Sequence, residues 1–110
     1  MSGVSIPVVE VSAVPENGYL LDVREDDEWR AGHAPNAVHI PLGQLAQRAA
    51  EIPRDAQVYV VCRIGGRSAQ AVQALNEAGW RAANVAGGMS AWALAGRPMV
   101  SETGQAPVVA

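Results

Sequence analysis

The feature of the sequence that most constrains the fold is the run Val58-Tyr59-Val60-Val61 near the middle of the chain. The run is continuously apolar and rich in β-branched side chains, whereas a strand with one exposed face would alternate apolar and polar residues. Continuous runs of this kind are typical of a central strand in a parallel sheet, where both faces are buried. The chain therefore has to supply helices that cover both sides of this strand.

Further strand and helix patterns alternate on either side of this run. Short apolar stretches bounded by turn residues predict strands at residues 8–11, 19–23, 37–40 and 83–86. Apolar spacing and end signals predict helices at residues 26–31, 42–51, 69–78 and 89–95. Because strands alternate with helices, the chain is expected to form an α/β fold with a parallel sheet covered on both faces.

The length of the chain, 110 residues, fits one domain built around a single core. We expect this domain to span residues 1–100. Residues 101–110 are mostly small and include glycine and proline, so they are expected to form a loosely ordered tail.

The charged residues exclude several classes of function. The formal net charge is -3, and this acidic excess argues against a nucleic-acid partner. All eight basic residues are arginine, so Schiff-base chemistry on a lysine is excluded. Since no stretch approaches the roughly 20 apolar residues that a membrane span requires, no membrane partner is expected.

The chain contains one cysteine, Cys62. A single cysteine excludes a disulfide within the chain, a thiol pair that cycles on its own and a four-cysteine metal site. Residues 1–7 lack the positively charged and apolar regions of a secretion signal. A free thiol without such a signal predicts a reduced, cytoplasmic location.

Cys62 stands directly after the central strand, at a strand-to-helix junction of the kind where open α/β sheets bind ligands. The segment that follows it is Arg63-Ile64-Gly65-Gly66-Arg67-Ser68. The paired glycines allow this loop to curl with its N–H groups inward, and the next helix adds the positive end of its dipole. We therefore predict a cradle that stabilises the Cys62 thiolate, with Arg63 and Arg67 holding an incoming oxyanion at the rim.

Two histidines and a glycine pair are interpreted as structural. His33 and His39 lie six residues apart with no cysteine or cluster of acidic residues to complete a ligand set, so no metal site is expected. Gly87 and Gly88 are expected to turn the chain beneath the Cys62 loop.

Three segments in register resemble the signatures of the single-domain rhodanese sulfurtransferases, and together they cover about residues 8 to 100. The first signature corresponds to Leu20-Leu21-Asp22-Val23-Arg24-Glu25 with Trp29, Gly32-His33 and Ala34-Pro35-Asn36-Ala37. The second corresponds to Cys62-Arg63-Ile64-Gly65-Gly66-Arg67-Ser68, and the third to Gly87-Gly88-Met89, Ala91-Trp92 and Gly96-Arg97-Pro98.

The resemblance implies a central five-stranded parallel sheet with helices on both faces and an enzyme that needs no cofactor. Cys62 would attack the outer sulfur of thiosulfate or a similar donor, release sulfite and carry the sulfur as a persulfide to a thiol or to cyanide. The residues that would bind the substrate are Arg63, Ile64, Gly65, Gly66, Arg67, Ser68 and Arg24. Two interpretations of Arg24 stay open, because it could either bind the sulfur donor or form an ion pair with a neighbouring carboxylate such as Asp22.

Three alternatives compete with this thiosulfate sulfurtransferase. A cysteine-dependent phosphatase or arsenate reductase is disfavoured, because four residues separate Cys62 from Arg67 where phosphatases have five, and because Val61 stands where the tyrosine phosphatases have histidine. A sulfur-relay module would receive its persulfide sulfur from a partner protein instead of thiosulfate. A catalytically silent interaction domain would not need the intact cysteine loop.

Overall fold

The computed structural model describes residues 5–110. Residues 1–4, which belong to the predicted domain and to the segment inspected for a secretion signal, lie outside the described residues. The strands of the described part are β1 (Val8–Val9), β2 (Tyr19–Asp22), β3 (Val38–His39), β4 (Gln57–Val61) and β5 (Arg81–Val85). Its α-helices are α1 (Asp26–Ala31), α2 (Leu45–Arg48), α3 (Gly66–Glu77) and α4 (Gly88–Leu94).

The five strands form one parallel sheet in the order β1-β5-β4-β2-β3. The apolar run that opened the sequence analysis is β4, and it pairs with β2 on one side and with β5 on the other, so that Val58 lies opposite Tyr19 and Ala82. The predicted α/β class, the parallel sheet and the central position of this strand are confirmed.

Both faces of β4 are buried, as its composition predicts. Val58 and Val60 are fully buried in a core cluster that includes Leu45 of α2 and Leu75 of α3. Val61 points to the opposite face, into a second cluster with the α4 side chains Met89 and Trp92. Burial of each valine contributes about 1.5–3 kcal/mol. The two clusters fix β4 between the helix layers, and the end of β4 carries Cys62.

Several predicted elements differ from the structure in their bounds; α3, for example, begins at Gly66 instead of residue 69. The single helix expected at residues 42–51 is instead a 3-10 turn (Leu42–Gln44), the short helix α2 and a second 3-10 turn (Ala49–Glu51). Hydrogen bonds that span three residues, such as Gln44 N–H to Pro41 O at 2.8 Å, replace α-helical bonds at these positions. The first strand ends at Val9 instead of residue 11, because residues 11–13 form another 3-10 turn.

The segment after residue 98, which includes the predicted tail at residues 101–110, pairs with the region around α1. The main chain of Val100 exchanges two hydrogen bonds of 2.9 Å with that of His33. Further along, Glu102 N–H donates to Arg30 O at 2.8 Å, and Val108 N–H donates to Ala31 O at 3.0 Å. These main-chain bonds attach the segment to the domain. Among the described residues, no helix combines the length and the apolar composition that crossing a membrane demands.

Candidate active site

The loop between β4 and α3 holds Cys62 in a buried position with hydrogen-bond donors directed at its sulfur. Only 1% of the Cys62 surface is exposed. The Gly65 N–H donates to Sγ over 3.1 Å, and the Ser68 hydroxyl lies 3.3 Å from Sγ. The sulfur is therefore at the centre of a set of polar donors, although apolar side chains surround the rest of the residue.

A positive φ angle at Gly65 produces the turn of this loop. Gly65 has φ of 126°, a conformation that residues with a side chain rarely adopt. A Cβ atom at this position would meet only Asn84 Nδ2, at an ordinary 3.7 Å. Glycine is thus required here by the backbone angle, which turns the Gly65 N–H toward Cys62.

Main-chain N–H groups at the start of α4 bind the carbonyl groups of the Cys62 loop. Met89 N–H donates to Cys62 O at 2.8 Å, and Ser90 N–H donates to Arg63 O at 3.0 Å. Gly88 packs directly against these carbonyls, since a Cβ on it would lie 2.5 Å from Cys62 O. The turn expected at the glycine pair is present beneath the loop, and it holds the main chain on both sides of the Cys62–Arg63 peptide bond.

Ser68 and Asn84 form a buried polar pair behind the sulfur. The Ser68 hydroxyl lies 2.6 Å from Asn84 Oδ1, and Asn84 Nδ2 donates to Gly65 O at 3.2 Å. Asn84 therefore contacts both the serine and the turn of the loop. Sequence analysis missed it, although an amide among the buried apolar residues of β5 was a usable signal.

The environment of Cys62 favours the thiolate. Burial by itself raises the pKa of the thiol, but hydrogen bonds from the Ser68 hydroxyl and from the main-chain N–H groups of Ser68, Gly65 and Ile64 act in the opposite direction. Together the hydrogen bonds prevail, and the pKa of Cys62 lies below its ordinary value. The thiolate is the nucleophilic form of cysteine, so a lowered pKa favours nucleophilic attack by Cys62.

Arg67 is bound to Glu28 of α1. The guanidinium Nη1 and Nη2 donate to the two carboxylate oxygens of Glu28 at 2.6 and 2.9 Å. Hydrogen bonds from Arg67 lower the pKa of Glu28 to about 2, and the same hydrogen bonds raise the pKa of Arg67. The negative charge of Cys62 also raises the pKa of Arg67, which means that the guanidinium is within electrostatic reach of the sulfur.

Arg24 is fully buried and makes the ion pair that was one of its two interpretations. Its Nε and Nη2 donate to the carboxylate of Asp22, with the shortest distance 2.7 Å, and Nη2 also donates to Gly32 O at 2.8 Å. In this geometry Arg24 fixes the chain between β2 and α1. The alternative in which it binds the sulfur donor has no support in these contacts.

The remaining loop residues lie at the surface. Arg63 is exposed, and within residues 5–110 its guanidinium forms no salt bridge. Ile64 at the tip of the loop is 68% exposed. Gly66 begins α3 and has open space around it. Of the predicted site residues, the structure brings Gly65 and Ser68 to the sulfur and leaves the side chains of Arg63 and Ile64 at the rim. Arg67 is paired with Glu28.

Comparison with known proteins identifies the family. The model of the rhodanese-like domain matches residues 9–95, which include all five strands except the first residue of β1. The chain belongs to the rhodanese-like family. The family comprises sulfurtransferases and sulfur carriers, so sulfur transfer describes the activity at this coarse level.

Relatives and a solved structure agree with this assignment. The rhodanese-like chain is 39% identical to "Sulfurtransferase" of Allochromatium vinosum over 90 residues, which are 81% of this chain and 84% of that protein. It is 34% identical to "Adenylyltransferase and sulfurtransferase uba4" of Ogataea parapolymorpha over 86 residues, covering 76% of this chain but only 22% of that longer protein. The crystal structure of a rhodanese-related protein from Thermoplasma volcanium superimposes with a TM-score of 0.81 at 33% identity, covering 86% of this chain and 97% of that one.

The two histidines of this rhodanese-like domain pack around Trp29. The Trp29 ring stacks on His33 with centroids 3.5 Å apart and on His39 at 4.7 Å. Both His33 ring nitrogens have partners, the Ala34 carbonyl at 2.9 Å and a Glu102 carboxylate oxygen at 2.8 Å. These contacts agree with the structural interpretation. In the part of the chain that the structure describes, no three His, Cys, Asp or Glu side chains are grouped as a metal ion would need.

Proposed function

We propose that this rhodanese-like protein transfers sulfane sulfur through a persulfide on Cys62, from thiosulfate or a similar donor to a thiol or to cyanide. The observation that carries the proposal is the pair of donors at the sulfur, the Gly65 N–H at 3.1 Å and the Ser68 hydroxyl at 3.3 Å. They stabilise a negative charge on the Cys62 sulfur in the resting enzyme and on the persulfide that forms there. A free thiol of this kind suits a reducing compartment, so we assign the reaction to the cytoplasm.

The reaction proceeds in two displacements at sulfur. In the first, the Cys62 thiolate attacks the outer sulfur of thiosulfate, the bond between the two donor sulfurs breaks and sulfite leaves with its electron pair. Cys62 then carries a persulfide anion. In the second, a thiolate or cyanide attacks the terminal sulfur, and the Cys62 thiolate is released. The charges balance in each step, and no oxidant or reductant is consumed.

The proposed roles of the other loop residues follow from their positions. Gly65 and Ser68 stabilise the charged sulfur, while Arg63 at the rim attracts the anionic donor, because its guanidinium is exposed and forms no salt bridge within residues 5–110. Gly66 allows the loop to enter α3. Arg67 would bind the donor only after it leaves Glu28.

A sulfur-relay role is the second candidate, and the arginine pairing favours it. Two of the three arginines expected at the sheet edge, Arg24 and Arg67, are neutralised by carboxylates. The exposed Ile64 offers an apolar contact at the tip of the loop. The name of the uba4 relative, which joins an adenylyltransferase to a sulfurtransferase, is consistent with a rhodanese-like domain that serves a partner activity. In this case a partner protein would load Cys62.

Intact-mass measurement after treatment with thiosulfate tests the proposal. The protein should gain about 32 Da, the mass of one sulfur atom, and lose it on addition of cyanide or a thiol. Cys62→Ser should gain nothing while keeping its fold. A wild-type protein that stays unloaded by thiosulfate but is loaded by a desulfurase-bound persulfide would favour the relay. Failure of every sulfane donor to load Cys62 would refute both candidates.

A further inference from the structure

The ion pair between Glu28 and Arg67 joins α1 to the first turn of α3 beside the Cys62 loop. It is a two-pronged contact, with nitrogen–oxygen distances of 2.6 and 2.9 Å. The Glu28 side chain is only 15% exposed and that of Arg67 34%. A partly buried, doubly hydrogen-bonded pair of this geometry is stronger than an ordinary surface ion pair.

The position of Glu28 is fixed independently of Arg67. Its Oε1 also accepts the N–H of Glu25 at 2.9 Å, and the Glu25 carboxylate accepts the N–H of Glu28 in return, which makes a capping box at the start of α1. The carboxylate therefore stays next to Arg67 whether or not a ligand is present. A donor that needs the Arg67 guanidinium has to compete with this carboxylate.

The pairing leaves little positive charge at the mouth of the site. Arg24 is neutralised by Asp22 and Arg67 by Glu28, so that Arg63 is the remaining free cation of the loop region within residues 5–110. Ile64 beside it presents an exposed apolar side chain. A mouth of this kind attracts a dianion such as thiosulfate weakly, because a fixed carboxylate lies near the route to Arg67.

We propose that Glu28 is a specificity-determining residue, which holds Arg67 in an ion pair and thereby biases the site toward organic persulfides and against thiosulfate. The proposal rests on the sulfur-transfer function above and names its donor class. With a persulfide, the Cys62 thiolate attacks the terminal sulfur of R–S–SH, the sulfur–sulfur bond breaks, R–S⁻ leaves, and the proton stays on the new Cys62 persulfide. The donor persulfide is reduced to a thiolate, and the Cys62 thiolate is oxidised to a persulfide to the same extent.

Glu28→Gln isolates the charge of this residue. The amide oxygen of glutamine can still accept the Glu25 N–H, and glutamine satisfies a capping box as glutamate does. That oxygen could still accept Arg67 Nη1, but the amide nitrogen would face Nη2, two donors opposed. One hydrogen bond and the charge attraction are therefore lost, and Arg67 is released more easily. Glu51→Gln is the matched control, because Glu51 pairs with Arg48 at 2.9 Å on a surface outside the Cys62 loop.

The experiment compares the rates at which two donors load Cys62 with sulfur, thiosulfate and the persulfide of 2-mercaptoethanol. In Glu28→Gln, kcat/KM for thiosulfate should rise about tenfold, equivalent to about 1.4 kcal/mol, mainly through a lower KM. The persulfide rate should change less than about twofold, since its reacting group carries at most one charge. Glu51→Gln should behave as the wild type with both donors.

A second variant tests whether Arg67 mediates the effect. In Glu28→Gln/Arg67→Ala the tenfold gain with thiosulfate should disappear, because the released guanidinium is what binds the dianion. Persistence of the gain in the double variant would overturn the proposal, as would a Glu28→Gln protein that uses thiosulfate more slowly or gains equally with both donors. If no donor loads Cys62 in any variant, the sulfur-transfer function itself fails. If the wild type and Glu28→Gln are loaded equally by thiosulfate, only the role of Glu28 fails.

Discussion

The hydroxyl of Ser68 lies among three acceptors, 2.6 Å from Asn84 Oδ1, 3.2 Å from Gly65 O and 3.3 Å from Cys62 Sγ. A hydroxyl has one proton and can donate it to only one of them at a time. When Cys62 is ionised, the charge on sulfur makes it the stronger acceptor. The position of this single proton is therefore coupled to the ionisation of Cys62, and Asn84 Oδ1 is the nearest of the alternative acceptors.

Ser68→Ala should weaken the nucleophile. Loss of the hydroxyl removes a hydrogen bond that favours the thiolate, so the pKa of Cys62 should rise and the pH profile of its alkylation should move to higher pH. Because a hydrogen bond to a charged group contributes about 1.5–3 kcal/mol, the alkylation rate at neutral pH should fall roughly tenfold or more. Iodoacetamide kinetics over a pH series measure both effects. The exposed Ser90 supplies the control Ser90→Ala, and an unchanged profile in Ser68→Ala would remove the hydroxyl from the site.

Asn84→Ala should loosen the loop and lower the stability of the protein. The substitution removes the amide that contacts the Ser68 hydroxyl at 2.6 Å and donates to Gly65 O at 3.2 Å, and each lost hydrogen bond costs about 0.5–1.5 kcal/mol. Urea denaturation measures the loss, and the exposed Asn36→Ala serves as the control. Equal stability of the two variants would contradict the role given to Asn84.

Gly88→Ala should displace the Cys62 loop. The added Cβ would lie 2.5 Å from Cys62 O and 2.6 Å from Arg63 O, at a φ of 57°. Gly96→Ala is matched in backbone angle, with φ of 73°, but meets no atom within 4 Å. Since both variants carry the left-handed strain of about 1–2 kcal/mol, the additional loss in Gly88→Ala reports the contact alone. We expect that variant to lose sulfur loading as well as stability, while Gly96→Ala loses stability only.

The Glu28–Arg67 pair should make stability depend on pH in the acid range. Arg67 lowers the pKa of folded Glu28 to about 2 from 4.5, so the pair stabilises the folded state fully above pH 4.5 and loses this contribution as the pH falls toward 2. The full contribution is at most about 3 kcal/mol. In urea denaturation, the free energies of unfolding of the wild type and of Glu28→Gln should differ more at pH 6 than at pH 3. The same difference at both values would mean that the ionisation of Glu28 is not coupled to folding.

The order of elements could be predicted from the sequence because its signals are local. The apolar run of β4, the turn residues that bound it and the glycines after Cys62 each act on their immediate neighbours, and all of them appear in the structure. The helix expected at residues 42–51 is divided, because its main chain forms the tighter 3-10 hydrogen bonds on both sides of α2. The composition of the segment does not distinguish this bonding from that of an α-helix.

The partners of the charged residues could not be predicted in the same way. Arg67 and Glu28 are 39 residues apart in sequence, and only the docking of α1 beside the loop brings them together. Arg67, which the loop sequence alone predicted to be available for an oxyanion, is therefore already bound to Glu28. The amide of Asn84 stood out in the sequence of β5, but its partners depend on β5 lying next to β4.

The two outer strands of the sheet, β1 and β3, contain two residues each. Strands this short expose few unpaired main-chain groups, so a second molecule finds little to extend by edge-to-edge association. Aggregation of the folded protein through its sheet is therefore disfavoured, and losses during storage or concentration should begin with unfolding or with oxidation of the single thiol.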